Sequence, residues 1–327
     1  MTEQTTAGRL VAVVVTHNRL DQLKCTVARL LESPQSHLAG LVVVDNASSD
    51  DTAAWLSGVA DPRVDVVRSE TNLGGAGGFE KGLRHAVHAF APDWMVVMDD
   101  DARPEPGALA AFHAEPRGER EAWAGAVRYP DGRICDMNRP WINPFWHKRA
   151  FLRSLWSGRD GFHLSLQDYD RKGPCAVDGG SFVGLFLSRR AIERAGYPDG
   201  RLFIYGDDVL YTLSISAMGG RIAFDPRVRF EHDCGTLTEG VRVLRPLWKV
   251  YYFHRNQLMV YRMAAGPVLF WPVFLVKWLK WRARARHYGA DRKAYLRLLA
   301  HAVRDGVRHR RNRRHAAVLR RVGSGTG

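Results

Sequence analysis

The feature that most constrains this chain is the alternation of short apolar runs with amphipathic segments over its first hundred residues. The runs are rich in β-branched residues and too uniformly apolar for one-sided antiparallel strands. We therefore predict a βαβαβαβ order, an α/β fold and a mostly parallel central sheet. The predicted strands are Leu10–Val15, Leu41–Val44, Val64–Val67 and Trp94–Met98, and the predicted helices are Leu20–Leu31, Thr52–Val59 and Gly78–Phe90.

The rest of the sequence predicts less regular structure in the remainder of the principal domain, followed by a C-terminal appendage. Strands are expected near Ala122–Tyr129, Ser181–Ser188 and Val228–Glu231, and a helix over Arg190–Ala195. From Leu247 the composition turns aromatic and then basic, so we place a domain boundary near residue 245. With 327 residues, the chain accommodates one principal domain over 1–245 and a helical, basic region over 246–327.

The positive charge is concentrated in that second region. The formal net charge is +14, and the segment from Lys277 onward holds sixteen Lys and Arg but only two acids, so residues 1–276 are neutral. Four widely spaced cysteines, without a Cys-x-x-Cys pair, exclude a zinc knuckle and favour a reducing compartment. Because Met1–Arg9 is polar and has no signal-peptide pattern, we expect a cytoplasmic location.

Polar residues follow each of the first four predicted strands, where a parallel sheet places its nucleotide sites. They are Thr16-His17-Asn18-Arg19, Asp45-Asn46-Ala47-Ser48-Ser49-Asp50, the glycine-rich segment 72–78, and Asp99-Asp100-Asp101. The glycine-rich segment matches neither an ATP P-loop nor a dinucleotide fingerprint. It is either a phosphate cradle at a helix N-terminus or a loop that needs positive φ angles.

The aspartate triplet is the most informative of these groups. Adjacent carboxylates repel and bind protons more tightly unless a cation neutralises them, which favours a divalent-metal site. Because side chains alternate in an extended segment, Asp99 and Asp101 share one face, and Asp100 lies on the other. The alternative is an exposed acidic turn that caps a helix.

Two further candidates lie later in the chain. Asp207-Asp208 follows an apolar run and opens a predicted helix, so it is either a helix cap or a source of a general base. His232 follows the last predicted strand of the principal domain, and by itself it is as consistent with a structural histidine as with a ligand.

Taken in order, these segments resemble family 2 glycosyltransferases. The matching segments are Val13–Arg19, Val42–Ser48, Asn72–Phe79, Asp99–Asp101, Leu202–Asp208 and Tyr252–Asn256. The segment Asn72–Phe79 and the triple aspartate are similar to bacterial galactofuranosyltransferases, with rhamnosyltransferases as relatives. The resemblance covers about residues 10–260 and implies a GT-A type nucleotide-sugar-binding fold.

The resemblance also implies roles for individual residues. Asp99, Asp101 and His232 would bind Mn²⁺ or Mg²⁺, and Asp208 or Asp207 would be the general base. The relatives often have Asp-Glu where this chain has Asp207-Asp208, which leaves that choice open. The nucleotide-sugar pocket would include Thr16, Asn18, Arg19, Asp45, Asn72, Gly74, Gly75 and Asp100, with Asp45 on the base and the Asn72 segment along the ribose and diphosphate.

The expected reaction is therefore an inverting transfer of a sugar from a nucleotide donor to a hydroxyl group. The resemblance favours UDP-galactofuranose as donor, with dTDP-rhamnose as the alternative, and a glycan or polyprenyl-linked acceptor in cell-wall or polysaccharide assembly. Two other classes of protein share some of these sequence features. A basic tail is also typical of nucleic-acid-binding proteins, but Arg304–Arg321 has no interleaved aromatic residues. A nucleotidyltransferase would have glycines after the first strand.

The C-terminal region predicts association with a membrane surface. Leu258–Trp281 is apolar but is interrupted by Arg262, Pro267, Pro272 and Lys277, so an interfacial segment is favoured over a spanning helix. Trp271, Trp278 and Trp281 suit headgroup depth, and the basic residues after them would be attracted to anionic lipid. We therefore predict a peripheral protein on the inner face of the plasma membrane. The alternative is a helix that packs on protein and exposes a basic face.

Overall fold

The computed structural model describes residues 8–234 and 243–323 of the chain. These residues divide into two compact units, the first comprising 8–200 and 211–234 and the second comprising 201–210 and 243–323. Segment 201–210 therefore groups with the C-terminal region, although it lies before residue 245. The polar segment Met1–Arg9, from which the absence of a signal peptide is predicted, lies outside the described residues except for its last two.

The first unit is built on a mixed sheet of nine strands among the described residues. They are β1 (Leu10–Thr16), β2 (Gly40–Asp45), β3 (Val64–Arg68), β4 (Trp94–Asp99), β5 (Ala102–Pro104), β6 (Ala122–Arg128), β7 (Cys175–Val177), β8 (Leu185–Ser188) and β9 (Ile222–His232). Their order is β3-β2-β1-β4-β8-β6-β9-β5, and β7 pairs with β9 outside that row. β1 to β4 run parallel, whereas β8 runs antiparallel to β4. The predicted α/β class with a mostly parallel sheet is confirmed.

Helices follow most strands of the first unit and form the regular structure of the second. The first unit contains α1 (Leu20–Leu31), α2 (Thr52–Ser57), α3 (Gly74–Phe90), α4 (Ala108–Ala114), α5 (Lys148–Ser157), α6 (Leu166–Tyr169) and α7 (Arg189–Ala195). The second unit contains the first turn of α8 (Asp207–Ala217) and all of α9 (Trp248–Arg284), α10 (Arg292–Val307) and α11 (His315–Gly323).

The side chains of β1 alternate between two buried clusters, one on each face of the sheet. Val11 and Val13 belong to one cluster, and Leu10 and Ala12 belong to the other. A strand that is covered on both faces has no solvent-facing side, which is why its sequence is a continuous apolar run. The register pairs Val15 with Asp99 and Thr16 with Asp45, so the polar residues after these strands gather at one edge of the sheet.

Helix α3 begins four residues before the predicted Gly78, and its glycines explain how closely it packs on β1. A Cβ atom on Gly78 would lie 2.4 Å from Val15 Cγ1, and one on Gly82 would lie 2.5 Å from Val13 Cγ1. Gly74, the first residue of the helix, has a φ of 71°, which favours glycine. The glycine-rich segment is therefore in part a packing requirement.

Two strand predictions differ from the structure in their bounds. The strand expected over Ser181–Ser188 begins only at Leu185. The predicted strand Val228–Glu231 is the end of a longer β9, which continues through Pro226. A register shift in the pairing of β9 with β6, between Gly125 and Ala126, accommodates this irregular stretch.

The second unit has a hydrophobic core of its own, which corrects part of the membrane prediction. Trp281, expected at headgroup depth, is buried in this core, and so are Leu298, Leu299 and Ala302 of α10. These positions recur at helical spacing because α10 packs on α9, not because it faces lipid. Asp305 is also buried in this unit and accepts hydrogen bonds from Tyr251 and Arg313.

Helix α9 is bent and only partly buried. Gly266 has non-helical angles within it, and Pro267 follows directly, so the apolar segment predicted to lie at a membrane is divided into two arms. By length and composition, the helical stretch from Trp248 to Val307 passes the criterion for a membrane-crossing segment. Buried helices of soluble proteins pass the same criterion.

Candidate functional site

Three predicted metal ligands come together in the first unit. One carboxylate oxygen each of Asp99 and Asp101 and one ring nitrogen of His232 lie within 4.8 Å of one another. Asp99 is the last residue of β4, and His232 is the last residue of β9. Strand β5 pairs with β9, and Ala102 of β5 lies opposite His232. Two carboxylates and an imidazole are a donor set that suits Mn²⁺ or Mg²⁺, with the imidazole favouring Mn²⁺.

The charges at this cluster are balanced by groups of the chain itself. Burial, followed by the charge of Asp101, raises the pKa of Asp99 to about 7. Burial disfavours the ionised form of Asp101 as well, but the hydrogen bond from His232 and the charge of Arg19 hold its pKa below the usual range. Burial opposes the charged form of His232, yet the hydrogen bond to Asp101 raises its pKa to about 10. A divalent cation would replace the proton on His232 as the source of positive charge.

Asp100 lies apart from the metal cluster, as the alternation of side chains predicts. Its Oδ2 accepts a hydrogen bond of 2.8 Å from Thr16 Oγ1, and its Oδ1 lies 3.4 Å from Arg19 Nη1. Burial raises the pKa of Asp100 to about 6. Arg19 also forms an ion pair with Asp101, so this arginine connects the predicted nucleotide pocket with the metal cluster.

Asn18 and Asp45 organise the loops that follow β1 and β2. Asn18 has a φ of 55°, and its Oδ1 accepts a hydrogen bond of 2.7 Å from the Ser49 amide. Asp45 Oδ1 accepts a hydrogen bond of 2.8 Å from the Ser48 amide. Asp45 Oδ2 has no hydrogen-bond donor among the described residues, although Arg68 Nε lies 3.5 Å away. A buried acceptor without a hydrogen-bond donor at this edge is compatible with the predicted contact to a nucleotide base.

The Asn72 segment is attached to β2 by Asn46, a residue that the sequence analysis did not select. Asn72 Oδ1 accepts a hydrogen bond of 2.7 Å from the Gly74 amide, and Asn46 Nδ2 donates one of 2.9 Å to the Gly74 carbonyl. A Cβ atom on Gly75 would meet nothing within 4 Å. The space on the Cβ side of Gly75 is therefore open.

Asn138 is a second residue that the sequence analysis missed. Its Oδ1 lies 2.8 Å from His232 Nδ1, while His232 Nε2 lies 3.1 Å from Asp101 Oδ1. A hydrogen bond from Nδ1 to Asn138 leaves Nε2 to face the carboxylates, which is the usual way in which a second residue orients a metal-binding histidine. Asn138 is separated from His232 by 94 positions, and nothing in its local sequence indicates this contact.

Asp207 and Asp208 belong to the second unit, where they form the first turn of α8 as predicted. Asp208 Oδ1 accepts a hydrogen bond of 2.7 Å from the Val209 amide. The preceding loop contains Phe203 and Tyr205, two non-glycine residues with φ angles of 69° and 70°. Such angles are costly, so they require strong support from neighbouring groups.

That support comes from Asn256, in the Tyr252–Asn256 segment of α9. Asn256 Nδ2 lies 3.1, 2.9 and 2.8 Å from the carbonyl oxygens of Leu202, Ile204 and Tyr205. Arg255 Nε donates to Asn256 Oδ1, and Arg255 Nη2 donates to the Leu202 carbonyl. Both side chains are fully buried. The segment was noted for its resemblance alone, and the structure shows that it holds the loop before Asp207.

Comparison with known proteins agrees with this arrangement. The sequence profile of glycosyl transferase family 2 matches residues 11–162. This range includes β1 to β4 and the aspartate triplet. Residues 11–162 form a glycosyl transferase family 2 domain. His232, Asp207 and Asp208 lie beyond the matched range of this domain.

Similar curated proteins extend over more of the chain. Galactofuranosyltransferase GlfT1 of Mycolicibacterium smegmatis is 28% identical over 232 residues, which are 69% of this chain and 71% of that protein. GlfT1 of Mycobacterium tuberculosis is 29% identical over 227 residues, 69% of this chain and 70% of that protein. The resemblance to family 2 glycosyltransferases noted in the sequence is confirmed.

Solved structures support a GT-A-like fold for this chain. The mannosyltransferase PcManGT from Pyrobaculum calidifontis, solved with GDP-Man and Mn²⁺, matches 98% of this chain and 81% of its own, with a TM-score of 0.53 and 20% identity. GalNAc-T7, solved with UDP, GalNAc and Mn²⁺, matches 78% of this chain with a TM-score of 0.54 and 17% identity. This chain spans about half of the GalNAc-T7 chain, 48%.

Proposed function

We propose that this family 2 glycosyltransferase transfers galactofuranose from UDP-galactofuranose to a hydroxyl group of a glycan or polyprenyl-linked acceptor, in cell-wall or polysaccharide assembly. The observation that carries the proposal is the cluster of Asp99, Asp101 and His232 at the end of β4 and β9. The identity of 28–29% to two mycobacterial galactofuranosyltransferases supports the choice of sugar.

We propose Mn²⁺ or Mg²⁺ as the ion held by Asp99, Asp101 and His232. The fit rests on the donor set and on the raised pKa of Asp99, which a cation would lower by relieving the repulsion between carboxylates. A divalent ion at this position supplies neutralisation of the charge that develops on a nucleoside diphosphate as it leaves. Arg19, beside Asp101, provides a second positive group for the same diphosphate.

We propose that the pocket around these residues holds the donor. Asp45 would contact the base, Thr16 and Asn18 would line the nucleotide, and Asp100 would fix Arg19. Asn72, Gly74 and Gly75, at the N-terminus of α3, would lie along the ribose and diphosphate. The positive end of a helix dipole favours phosphate at such a position.

The chemical step is a single displacement that inverts the anomeric centre. Asp208, the favoured base, takes the proton of the acceptor hydroxyl as the new bond between its oxygen and the anomeric carbon forms. The bond between that carbon and the diphosphate oxygen breaks, and the electron pair leaves with the nucleoside diphosphate. The helix dipole at the start of α8 favours an ionised carboxylate, so Asp208 needs no raised pKa to accept a proton. Asp207 would orient hydroxyl groups.

We further propose a peripheral location on the cytoplasmic face of the membrane. The second arm of α9 exposes Val268, Trp271, Leu275 and Leu279, which lie three or four positions apart and share one face. Lys280, Arg282 and Arg284, which follow, are exposed and would each gain about 1 kcal/mol at an anionic surface. In the first unit, α5 also exposes Leu152, Leu155 and Trp156, beside three exposed basic residues, Lys148, Arg149 and Arg153. Each of these helices, α9 and α5, therefore exposes an apolar face with basic residues beside it, as helices that lie at a membrane interface do.

A panel of nucleotide sugars tests the donor. The purified chain, with Mn²⁺ and a polyprenyl-linked glycan acceptor, is incubated separately with UDP-galactofuranose, UDP-galactopyranose, dTDP-rhamnose and GDP-mannose. We expect transfer from UDP-galactofuranose, and the anomeric configuration of the product gives the stereochemistry. Transfer from dTDP-rhamnose alone would favour the rhamnosyltransferase alternative. Absence of transfer and of donor hydrolysis with every sugar, in the presence of Mn²⁺, would contradict the proposed activity.

A further inference from the structure

Sulfur ligands that the proposed transfer does not use adjoin the metal cluster of the first unit. Cys135 Sγ, Cys234 Sγ and a ring nitrogen of His232 lie within 4.8 Å of one another. Met137 Sδ lies 3.8 Å from Cys234 Sγ. Cys135 is buried, but Cys234 is partly accessible, and Met137 is exposed to solvent. An ion from solution can therefore approach this group from the surface.

The spacing is close to that of a tetrahedral soft-metal site. Bond lengths of about 2.3 Å to sulfur and 2.0–2.1 Å to nitrogen place neighbouring ligands of Zn²⁺ about 3.6–3.8 Å apart. The distance between Cys135 Sγ and His232 Nδ1 is 3.8 Å. Cys234 lies two positions after the last residue of β9 and is partly exposed. Thiolate and thioether ligands select thiophilic ions over Mn²⁺ or Mg²⁺.

The two nitrogen atoms of one imidazole ring contact this group and the carboxylates separately. His232 Nε2 lies 3.1 Å from Asp101 Oδ1, whereas Nδ1 faces Asn138 Oδ1 at 2.8 Å and Cys135 Sγ at 3.8 Å. The carboxylate ligands therefore lie beside Nε2, and the sulfur of Cys135 lies beside Nδ1 together with the amide oxygen of Asn138.

We propose that Cys135, Cys234 and His232 Nδ1, with Met137 at the rim, form a binding site for a thiophilic divalent ion such as Zn²⁺. We also propose that this ion competes with Mn²⁺ for the imidazole, a coupling that rests on the metal site of the proposed function. A neutral imidazole has one free lone pair, so an ion on Nδ1 leaves the proton on Nε2. Nε2 then donates a hydrogen bond to Asp101 and is no longer a ligand, and each ion weakens the binding of the other.

Cobalt titration tests the sulfur site without any sugar donor. The full-length, reduced chain is titrated with Co²⁺ in the absence of oxygen, and absorbance from thiolate-to-cobalt charge transfer is followed in the near ultraviolet. We expect a band that saturates at one equivalent and that Zn²⁺ displaces. Cys234→Ser should weaken Co²⁺ binding by about 10–100-fold, and Cys135→Ser should remove the band. Cys175→Ser, a change at a partly buried cysteine of β7, should retain it.

The coupling is tested by the ratio of activities with and without equimolar Zn²⁺ in a reaction supported by Mn²⁺. We expect Zn²⁺ to lower the activity of the unmodified chain and of Cys175→Ser about tenfold more than it lowers the activity of Cys234→Ser. No thiolate band, or a band that both Cys135→Ser and Cys234→Ser retain, would overturn the site. A band with equal zinc sensitivity in all variants would overturn the coupling. Either result would leave the transferase proposal intact, because the band requires no turnover and zinc sensitivity is compared between variants that all transfer sugar.

Discussion

Three consecutive aspartates have three different environments in this protein. Asp99 faces the other ligands with a raised pKa, Asp100 is held by Thr16, and Asp101 is ionised beside His232 and Arg19. The differences follow from the alternation of side chains and from the partners that neighbouring strands supply. Substitutions at these positions should therefore have different effects.

The first prediction concerns Asp101. Asp101→Asn removes one anionic ligand and the ion pair with Arg19, so the Kd for Mn²⁺ should rise by about tenfold or more, and transfer should be lost. Calorimetric titration with Mn²⁺ measures the affinity. Asp131→Asn, a change in an exposed turn carboxylate of the same unit, is the matched control and should leave both properties unchanged. Equal Mn²⁺ affinity in the two variants would contradict the assignment of Asp101 as a ligand.

The second prediction is that Mn²⁺ affinity rises with pH. With the pKa of Asp99 at about 7 and that of His232 at about 10, both groups carry protons near neutral pH that the ion must displace. Raising the pH removes this competition, so affinity should increase by about tenfold per pH unit for each proton released. Titration of the whole chain between about pH 6 and pH 8 measures the slope. A flat profile would show that no proton leaves on binding.

The third prediction concerns the base. Asp208→Asn keeps the shape and capping ability of the side chain but cannot accept a proton, so kcat should fall by about 10²–10⁴-fold with donor affinity nearly unchanged. Asp207→Asn is the matched variant and should mainly raise the KM for the acceptor. The opposite pattern would exchange the two roles. A loss of less than about tenfold in both variants would leave the pair as a helix cap.

At the scale of elements, the arms of α9 have separate tasks. Its first arm carries Arg255 and Asn256, which hold the strained loop before α8, and its second arm carries the exposed apolar face beyond Gly266. Both tasks lie in one helix, so removal of α9 cannot test either of them alone. Point substitutions are needed.

The fourth prediction tests the loop support. Asn256→Ala removes the side-chain donor of the Ile204 and Tyr205 carbonyl groups, whereas the Leu202 carbonyl keeps the hydrogen bond from Arg255. Each lost hydrogen bond costs about 1–3 kcal/mol if the carbonyl stays buried, so the loop should relax and the melting temperature should fall. Because Asp207 and Asp208 follow that loop, kcat should fall by about tenfold or more while Mn²⁺ affinity is retained. Gln257→Ala, the adjacent change on α9, is the control. Unchanged kcat with a lowered melting temperature would make Asn256 purely structural.

At the scale of the whole molecule, charge and exposed apolar surface coincide in the C-terminal region. The net charge of the chain arises from Lys277 onward, and exposed apolar side chains of α9 precede that segment or, like Leu279, lie within it. Neither property contributes to the hydrophobic core of the second unit, which consists of other residues of the same helices. An anionic membrane, the partner that we propose, would interact with both at once.

The fifth prediction follows from that combination. The full chain should bind vesicles that contain phosphatidylglycerol, and about 1 M salt should release most of it by screening. Leu275→Ser with Leu279→Ser should weaken binding, since both side chains are 54% exposed. Met218→Ser removes an apolar side chain of equal exposure, 54%, from the first unit and should have no effect. Cosedimentation with the vesicles measures the binding of each variant. Binding that salt does not weaken would favour a spanning helix.

The local periodicity of the sequence predicted the first four strands and the helices between them. The physical reason is that burial sets a local pattern of apolar residues in both kinds of element. A strand buried on both faces is a continuous apolar run, and an amphipathic helix has apolar residues three or four positions apart. The placement of Thr16, Asp45 and Asp99 at one edge followed from the parallel order alone. The start of α3 was misplaced because its glycines resemble a loop, whereas close packing on Val13 and Val15 requires them.

By itself, the sequence determined the α/β class, the acidic strand end and the position of the charge, since each is a property of adjacent residues. Only the tertiary structure decided that His232 meets Asp101 across 131 positions, that Asn138 orients the imidazole, and that Asn256 supports the loop before Asp207. It also decided which C-terminal apolar residues are buried, with Trp281 in the core and Leu279 in solvent. Such contacts depend on how distant elements pack, and a helix with apolar residues on two faces does not indicate which face the protein covers.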